Sequence, residues 1–518
     1  MNMIPQSMQK ISCVFDTNLY KYKLRWQEPA DTIINGQVAC LVDKVIIRRK
    51  LGSAPTDEND GDLVIEVKRK DFNSYKSTYF IDEELAPSEG DIYYYKAFPV
   101  STTGFYNYST VNETSGILCK DYILYGFKID QNESDPASMI TYIEDNKDFA
   151  SAYMNYASDS FNYGDWKDAW FIRDLKPCML KYDGTVAYEL DKNDYSLKAD
   201  GTASDIANNS FAGNAMIGIP KVYWKIVDNG DDTANIYFSN KKVDNDFVCW
   251  SHIDSNGNEI DYCYMPIYNG SNVSSQLRSL SGKTPIYSQT GTTEITYALA
   301  NNKTEDIIWY TEVFSDRMLI NLLLLLIGKS TNIQTVFGNG YYKGGSSASN
   351  LLVTGTLNDK GLFYGTNGNE KCVKVFGMEN WWGNQWRRIA GWINSKGTQK
   401  IKMTYGQSDG STVDGYNTDG SGYISIGCTP SGTSGGYISK MTVTKNGLIP
   451  TTASGSATTY YTDGLWFYNS QVDYAIVGGS SDSRLIVGAL FSDLADTVSC
   501  ADWDVGAAVS CKPLAKIS

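Results

Sequence analysis

Val375-Phe376-Gly377-Met378-Glu379-Asn380-Trp381-Trp382-Gly383-Asn384-Gln385-Trp386-Arg387-Arg388-Ile389-Ala390-Gly391 carries three tryptophans interrupted only by Gly383, Asn384 and Gln385. Aromatic side chains bury so much area that Trp381, Trp382 and Trp386 are expected in a core. Gly383 lets backbone approach them closely, and Asn384 is placed to satisfy the amides of a turn. With Asn380, these residues read as a stiff structural framework.

Downstream, Asp463-Gly464-Leu465-Trp466 leads into Val477-Gly478-Gly479-Ser480, and the chain closes through Trp503-Asp504-Val505-Gly506-Ala507-Ala508. The first stretch looks like the G-[LMI]-x-N-x-x-G-N-x-W element of C-type-lectin-like domains of the formylglycine-generating-enzyme and phage-tail type. The second set is similar to the R-G-G-S … G-x-R ending of the same fold, especially in the variable proteins that diversity-generating retroelements mutate in phages. Two departures stand out: Val477 replaces the usual Arg before Gly478-Gly479, and Ala508 replaces the closing Arg after Gly506. Any role of those arginines does not carry over. Residues 125–282 resemble the part that precedes this ending in phage-tail adhesins, so the resemblance spans about 119–518.

The resemblance implies a receptor-binding protein of a phage tail, carried on the virion and folded in the host bacterial cytoplasm, with no cofactor and no catalysis. Its partners would be a host cell-surface protein or glycan and other phage tail proteins. Tips of this kind are commonly trimeric, and closed symmetry multiplies weak site affinity; no coiled-coil heptads mark a subunit number here. Exchanged positions in the variable members lie between the Gly-Gly turn and the last strand. Carried over, they fall on Ser480, Ser481, Asp482, Ser483, Arg484, Leu485, Phe491, Ser492, Asp496, Asp502 and Asp504. Tyr468, Tyr474, Phe491 and Trp503 would supply aromatic anchors, because aromatic and small polar side chains give contact area at low entropy cost. Against this stands a plainer reading, in which the aromatics are core and Ser480 to Ser483 is only a turn.

Upstream, residues 1–118 alternate apolar and polar side chains at Cys13-Val14-Phe15, Tyr22 to Trp26, Lys44 to Arg48, Leu63 to Val67 and Ile92 to Phe98. Short strands at this spacing, separated by Asp, Gly, Pro and Ser turns, predict a β-sandwich. Trp26, the Leu85-Ala86-Pro87 corner and the tyrosines at 93–95 resemble a fibronectin type III domain, a module that usually serves as a spacer. Composition shifts near 119, which predicts a β-rich region of the lectin-like domain over 119–300 and the ligand-binding part over 301–518. Within the former, Lys221 to Val227 and Ala234 to Phe238 flank an Asn229-Gly230 turn, a hairpin signal. Within the latter, the apolar stripe from Glu312 to Ile327 predicts a helix packed on a sheet and stopped at Gly328-Lys329. The glycine-rich runs 344–347, 420–427 and 432–436 keep recurrent apolar anchors and are expected to be ordered loops. The fold class is therefore mainly β with some α.

Length and composition bound the alternatives. A chain of 518 residues with 42% apolar and 20% charged residues is globular in composition and long enough for several compact units. A formal net charge of −14 repels phosphate backbones and anionic lipid, which argues against nucleic-acid binding. The run Met318 to Ile327 is about half of a membrane span, so no membrane insertion is expected. Met1 to Gln9 has no signal-peptide pattern. The ten cysteines are scattered without metal-site spacing and read as free buried thiols.

Chemistry is sparse. His252 is the only histidine, HExxH is absent, and glycine clusters such as Gly338-Asn339-Gly340 do not end in Gly-Lys-Ser/Thr. Acidic pairs such as Asp231-Asp232 and Glu305-Asp306 fall in turn-like stretches. The enzymatic rivals are a formylglycine-generating-type oxidase, which would have to use Cys500 and Cys511, and a phage glycan depolymerase. A bacterial surface adhesin is a further non-enzymatic alternative.

Overall fold

The computed structural model describes residues 3–17 and 19–516. Among these the protein is mainly β, with thirty-five short strands and four α-helices: α1 (Trp170–Arg173), α2 (Gly291–Leu299), α3 (Phe314–Gly328) and α4 (Ile333–Phe337). It forms two compact units, 1–123 and 124–518.

In the first unit a three-stranded sheet (Lys10–Asp16, Lys21–Gln27, Phe80–Ile81) and a four-stranded sheet (Asp62–Lys68, Val42–Leu51, Ile92–Ser101, Ile117–Leu118) share one core. Strand Lys21–Gln27 alternates strictly, sending Tyr22, Leu24 and Trp26 inward to meet Val45, Ile47, Tyr95 and Ala97 of the other sheet. Cys119 is fully buried in the same cluster, so the unit closes at 123, a few residues beyond the expected 118.

In the second unit the hairpin expected from Asn229-Gly230 forms between Tyr223–Asp228 and Thr233–Ser239, with Gly230 and Asp232 at positive φ. A six-stranded sheet runs Val186–Glu189, Lys176–Lys181, Gly213–Pro220, Tyr262–Pro266, Val509–Cys511, Trp309–Thr311. The last strand of the chain thus sits between strands from either side of residue 300, and the stretches 119–300 and 301–518 share one sheet.

The third large sheet has ten strands and carries the site. Its center is Trp386–Ser395, flanked by Thr398–Ile401 and Val472–Val477; then come Ser492–Leu494, Gly464–Phe467, Gly435–Thr444 and Gly447–Ala453. Strand Gly435–Thr444 begins inside a glycine-rich run expected to be a loop; its glycines lie opposite bulky side chains, which supply the packing that Gly lacks.

Helix α3 is buried on every side, not along one stripe, and its charged and amide side chains are met there by groups from elsewhere in the fold. Asp316 pairs with Lys512 at 3.0 Å. Arg317 lies over the Trp381 ring at 4.2 Å and donates to the Ala489 carbonyl. Asn321 accepts from Trp381 Nε1 and donates to the same carbonyl. Lys329, at φ 52°, closes the helix in the left-handed conformation. No helix among the described residues is long and apolar enough to cross a membrane.

Candidate binding cleft

The site is assembled from the two segments that flank the Gly-Gly turn. Trp381 and Trp382 are buried and Trp386 nearly so. Gly383, at φ 76°, stands where a Cβ would meet the Tyr341 backbone at 2.8 Å, and the Asn384 carboxamide both accepts from and donates to the Leu352 backbone. The amide of Gly383 donates to the Gly478 carbonyl, and the amide of Ser481 donates to Asn384 O, each at 3.0 Å. Trp386 N donates to Asp504 O, and the strand from Trp386 pairs with Val505–Gly506. The closing segment is therefore bound to the tryptophan framework at both ends.

Between those anchors the chain turns outward. Gly478 and Gly479 take φ of 89° and 78°, conformations costly for any side chain. Ser480 holds the turn by donating through N to Ser483 Oγ and through Oγ to Asp482 Oδ1. Asp482 and Ser483 are half-buried, and Arg484 and Leu485 are exposed. Arg484 sits at φ 62°, which for a side chain of this size costs on the order of 1 kcal/mol or more. Val487 through Phe491 return to the interior, where Phe491 meets Trp386 edge-on at 4.5 Å.

A surface cleft of about 620 Å3 opens beside this loop. Asp482, Ser483, Arg484, Leu485 and Ile486 line it from the loop, Tyr437 and Trp466 line it from the sheet, and Phe491 also lines it. Tyr437 and Trp466 project from neighbouring strands, each directly opposite a glycine: Tyr437 faces Gly464 and Trp466 faces Gly435. A Cβ at 464 would meet the Phe491 ring at 2.4 Å. Trp466 is 42% exposed, and Leu485 and Tyr468 are 55% exposed.

Several positions carried over from the resemblance do not face solvent. Tyr474, Ser480, Ser481, Phe491 and Ser492 are all buried, which corrects their assignment to an exposed contact surface. Tyr474 lies on the strand between Trp386–Ser395 and Ser492–Leu494, inside a cluster with Tyr310, Val313 and Ile393. Ser480 and Ser481 are consumed by the turn, and Ser492 Oγ donates to Leu490 O. Phe491 contributes only a buried ring to the cleft lining. Asp496, Asp502, Trp503 and Asp504 do not line the cleft; of these only Asp502 is fully at the surface. Sequence reading missed Tyr437, Trp466 and Ile486 as site residues. The signal for the first two was present, as the spaced patterns Gly435-Gly436-Tyr437 and Gly464-Leu465-Trp466 with glycine and aromatic two apart.

The acidic residues around the loop are strongly perturbed. Burial raises the Asp504 carboxyl to about 6, the Ser480 hydroxyl opposes this, and the charges of Asp482 and Asp502 add to it. Burial likewise lifts Asp493 to about 7, with Asp496 contributing. The local field is negative, and Arg484 makes no ion pair among the described residues.

His252 is fully buried, its ring nitrogen 3.0 Å from Ile219 O, and burial drives it down to about 3. All ten cysteines are unpaired; Cys511 is buried where Cys178 and Cys263 act on it, while Cys500 lies elsewhere, its carbonyl accepting from Arg388.

No family model matches the chain, and no curated protein is similar to it at a significant level.

Proposed function

We propose that this chain is a recognition protein without catalysis of its own, the receptor-binding part of a phage tail, and that the cleft between Trp466 and the 482–486 loop is its contact site. The observation that carries the reading is the placement of exposed Trp466, Arg484 and Leu485 around a cleft beside the ten-stranded sheet. Ligand sites are concave and mostly apolar, with a few placed polar groups, and Trp466 and Leu485 are two exposed large apolar side chains that line one cleft and are not scattered singly. Support for a C-type-lectin-like core comes from the contact between its two signature segments, through Gly383 to Gly478 and Ser481 to Asn384. The first unit, with its three- and four-stranded sheets around Trp26, serves in this reading as a fibronectin-type spacer.

The test is adsorption of the fluorescently labelled full chain to a panel of Gram-negative and Gram-positive cells, with the double variant Trp466→Ala/Leu485→Ala beside it. Saturable binding to at least one strain, lost in the double variant at unchanged melting temperature, is expected. Absence of binding across the panel, adsorption indifferent to the double variant, or shortening of surface polysaccharide on incubation would refute the proposal.

A further inference from the structure

We infer that the cleft takes a neutral saccharide, stacked on the indole of Trp466 and hydrogen-bonded by the loop residues that share the cleft. The inference rests on the recognition reading of the same site. Its first support is the way Trp466 is held. The ring lies so close over Gly435 that a Cβ there would be 1.9 Å from it, so one indole face is fixed against the sheet while the side chain remains 42% exposed. A flat, immobilised aromatic presenting a face is suited to the C–H face of a sugar ring, whose partial positive charge matches the negative π-face.

The second support is the chemistry of the loop residues that share the cleft with Trp466. Asp482 accepts, Arg484 donates, and the Ser483 hydroxyl can do both, which are the groups needed to read sugar hydroxyls. Arg484 has no carboxylate partner among the described residues, and its backbone is left-handed, with φ 62°. The third is size: about 620 Å3 falls in the range of roughly 300–1,000 Å3 for small-ligand sites, whereas a protein partner needs a patch of about 800 Å2 on each side.

Charge selects among saccharides. Arg484 is one cation next in sequence to Ser483 and Asp482, and the carboxyl of Asp504 lies close enough to Asp482 and to Asp502 for their charges to act on it. With a net charge of −14, this surroundings repels sialylated, uronic or phosphorylated glycans and leaves a neutral one.

The experiment is binding of the purified full chain to an array of neutral oligosaccharides beside sialylated and phosphorylated ones, followed by titration of the best ligand. At least one neutral glycan is expected to bind, with affinity falling tenfold or more in Trp466→Ala and in Arg484→Ala, partial recovery in Trp466→Phe, and unchanged melting temperature throughout. Binding confined to anionic glycans, or neutral-glycan binding that survives Trp466→Ala, overturns the inference. A blank array combined with cell adsorption that proteinase treatment of the cells abolishes also overturns it, while leaving the recognition reading intact. A blank array with no cell adsorption defeats both.

Discussion

Gly435 stands directly opposite Trp466 in an antiparallel pair, and the indole occupies the space a side chain at 435 would need. The glycine is thus a positioning element for the exposed aromatic. Gly435→Ala is expected to push the ring off the sheet and weaken ligand binding several-fold. Its stability cost should be about 1 kcal/mol, because the clash falls on the ring of an exposed side chain and not on backbone. Parallel binding titrations and thermal melts check this; unchanged affinity would show that the contact does not set the pose.

Asp482 and Asp496 separate the cleft from the rest of the closing segment. Asp482 lines the cleft and accepts from Ser480 Oγ, whereas Asp496 meets Tyr474 only through its backbone carbonyl. Asp482→Lys is expected to abolish cell adsorption and Asp496→Lys to leave it near the unsubstituted level. Equal effects in the adsorption assay would place the contact surface elsewhere on the segment.

The buried charges beneath the site are expected to dominate stability. Glu312 pairs with Arg387 at 3.1 Å and stands 3.9 Å from Arg317, all three almost fully buried. Glu312→Ala strands two guanidinium groups in the interior and should cost about 3–5 kcal/mol. Chemical denaturation should show this in the transition of the second unit, with the first unit, built around Trp26, unaffected.

Acid sensitivity should trace in part to His252. Its folded-state value is about 3 against about 6.5 for an unfolded imidazole. The unfolded chain therefore binds the proton first, and the stabilisation from the buried neutral ring is complete above pH ~6.5 and lost progressively toward pH ~3. Melting curves from pH 7 to 4 should show the unsubstituted protein losing more stability than His252→Gln. Parallel pH profiles for the two would disprove the assignment.

Local sequence determined a good deal of this protein. Strand alternation in Lys21–Gln27, the Asn229-Gly230 hairpin, the stop at Gly328-Lys329 and the tryptophans as core were all legible, because each depends on side-chain periodicity or on one residue's backbone preference. The loop position of Arg484 and Leu485 was legible too, since Gly478-Gly479 announces a turn. Only the tertiary structure decided the rest. Whether Tyr474 or Trp466 faces water depends on which strands flank it, and that pairing joins residues far apart in the chain. The same holds for α3, whose Asp316, Arg317 and Asn321 look like a solvent face until Lys512, Trp381 and Ala489 arrive from elsewhere to satisfy them. Burial of a polar group is set by its partners, and no local pattern of residues names partners that lie across the fold.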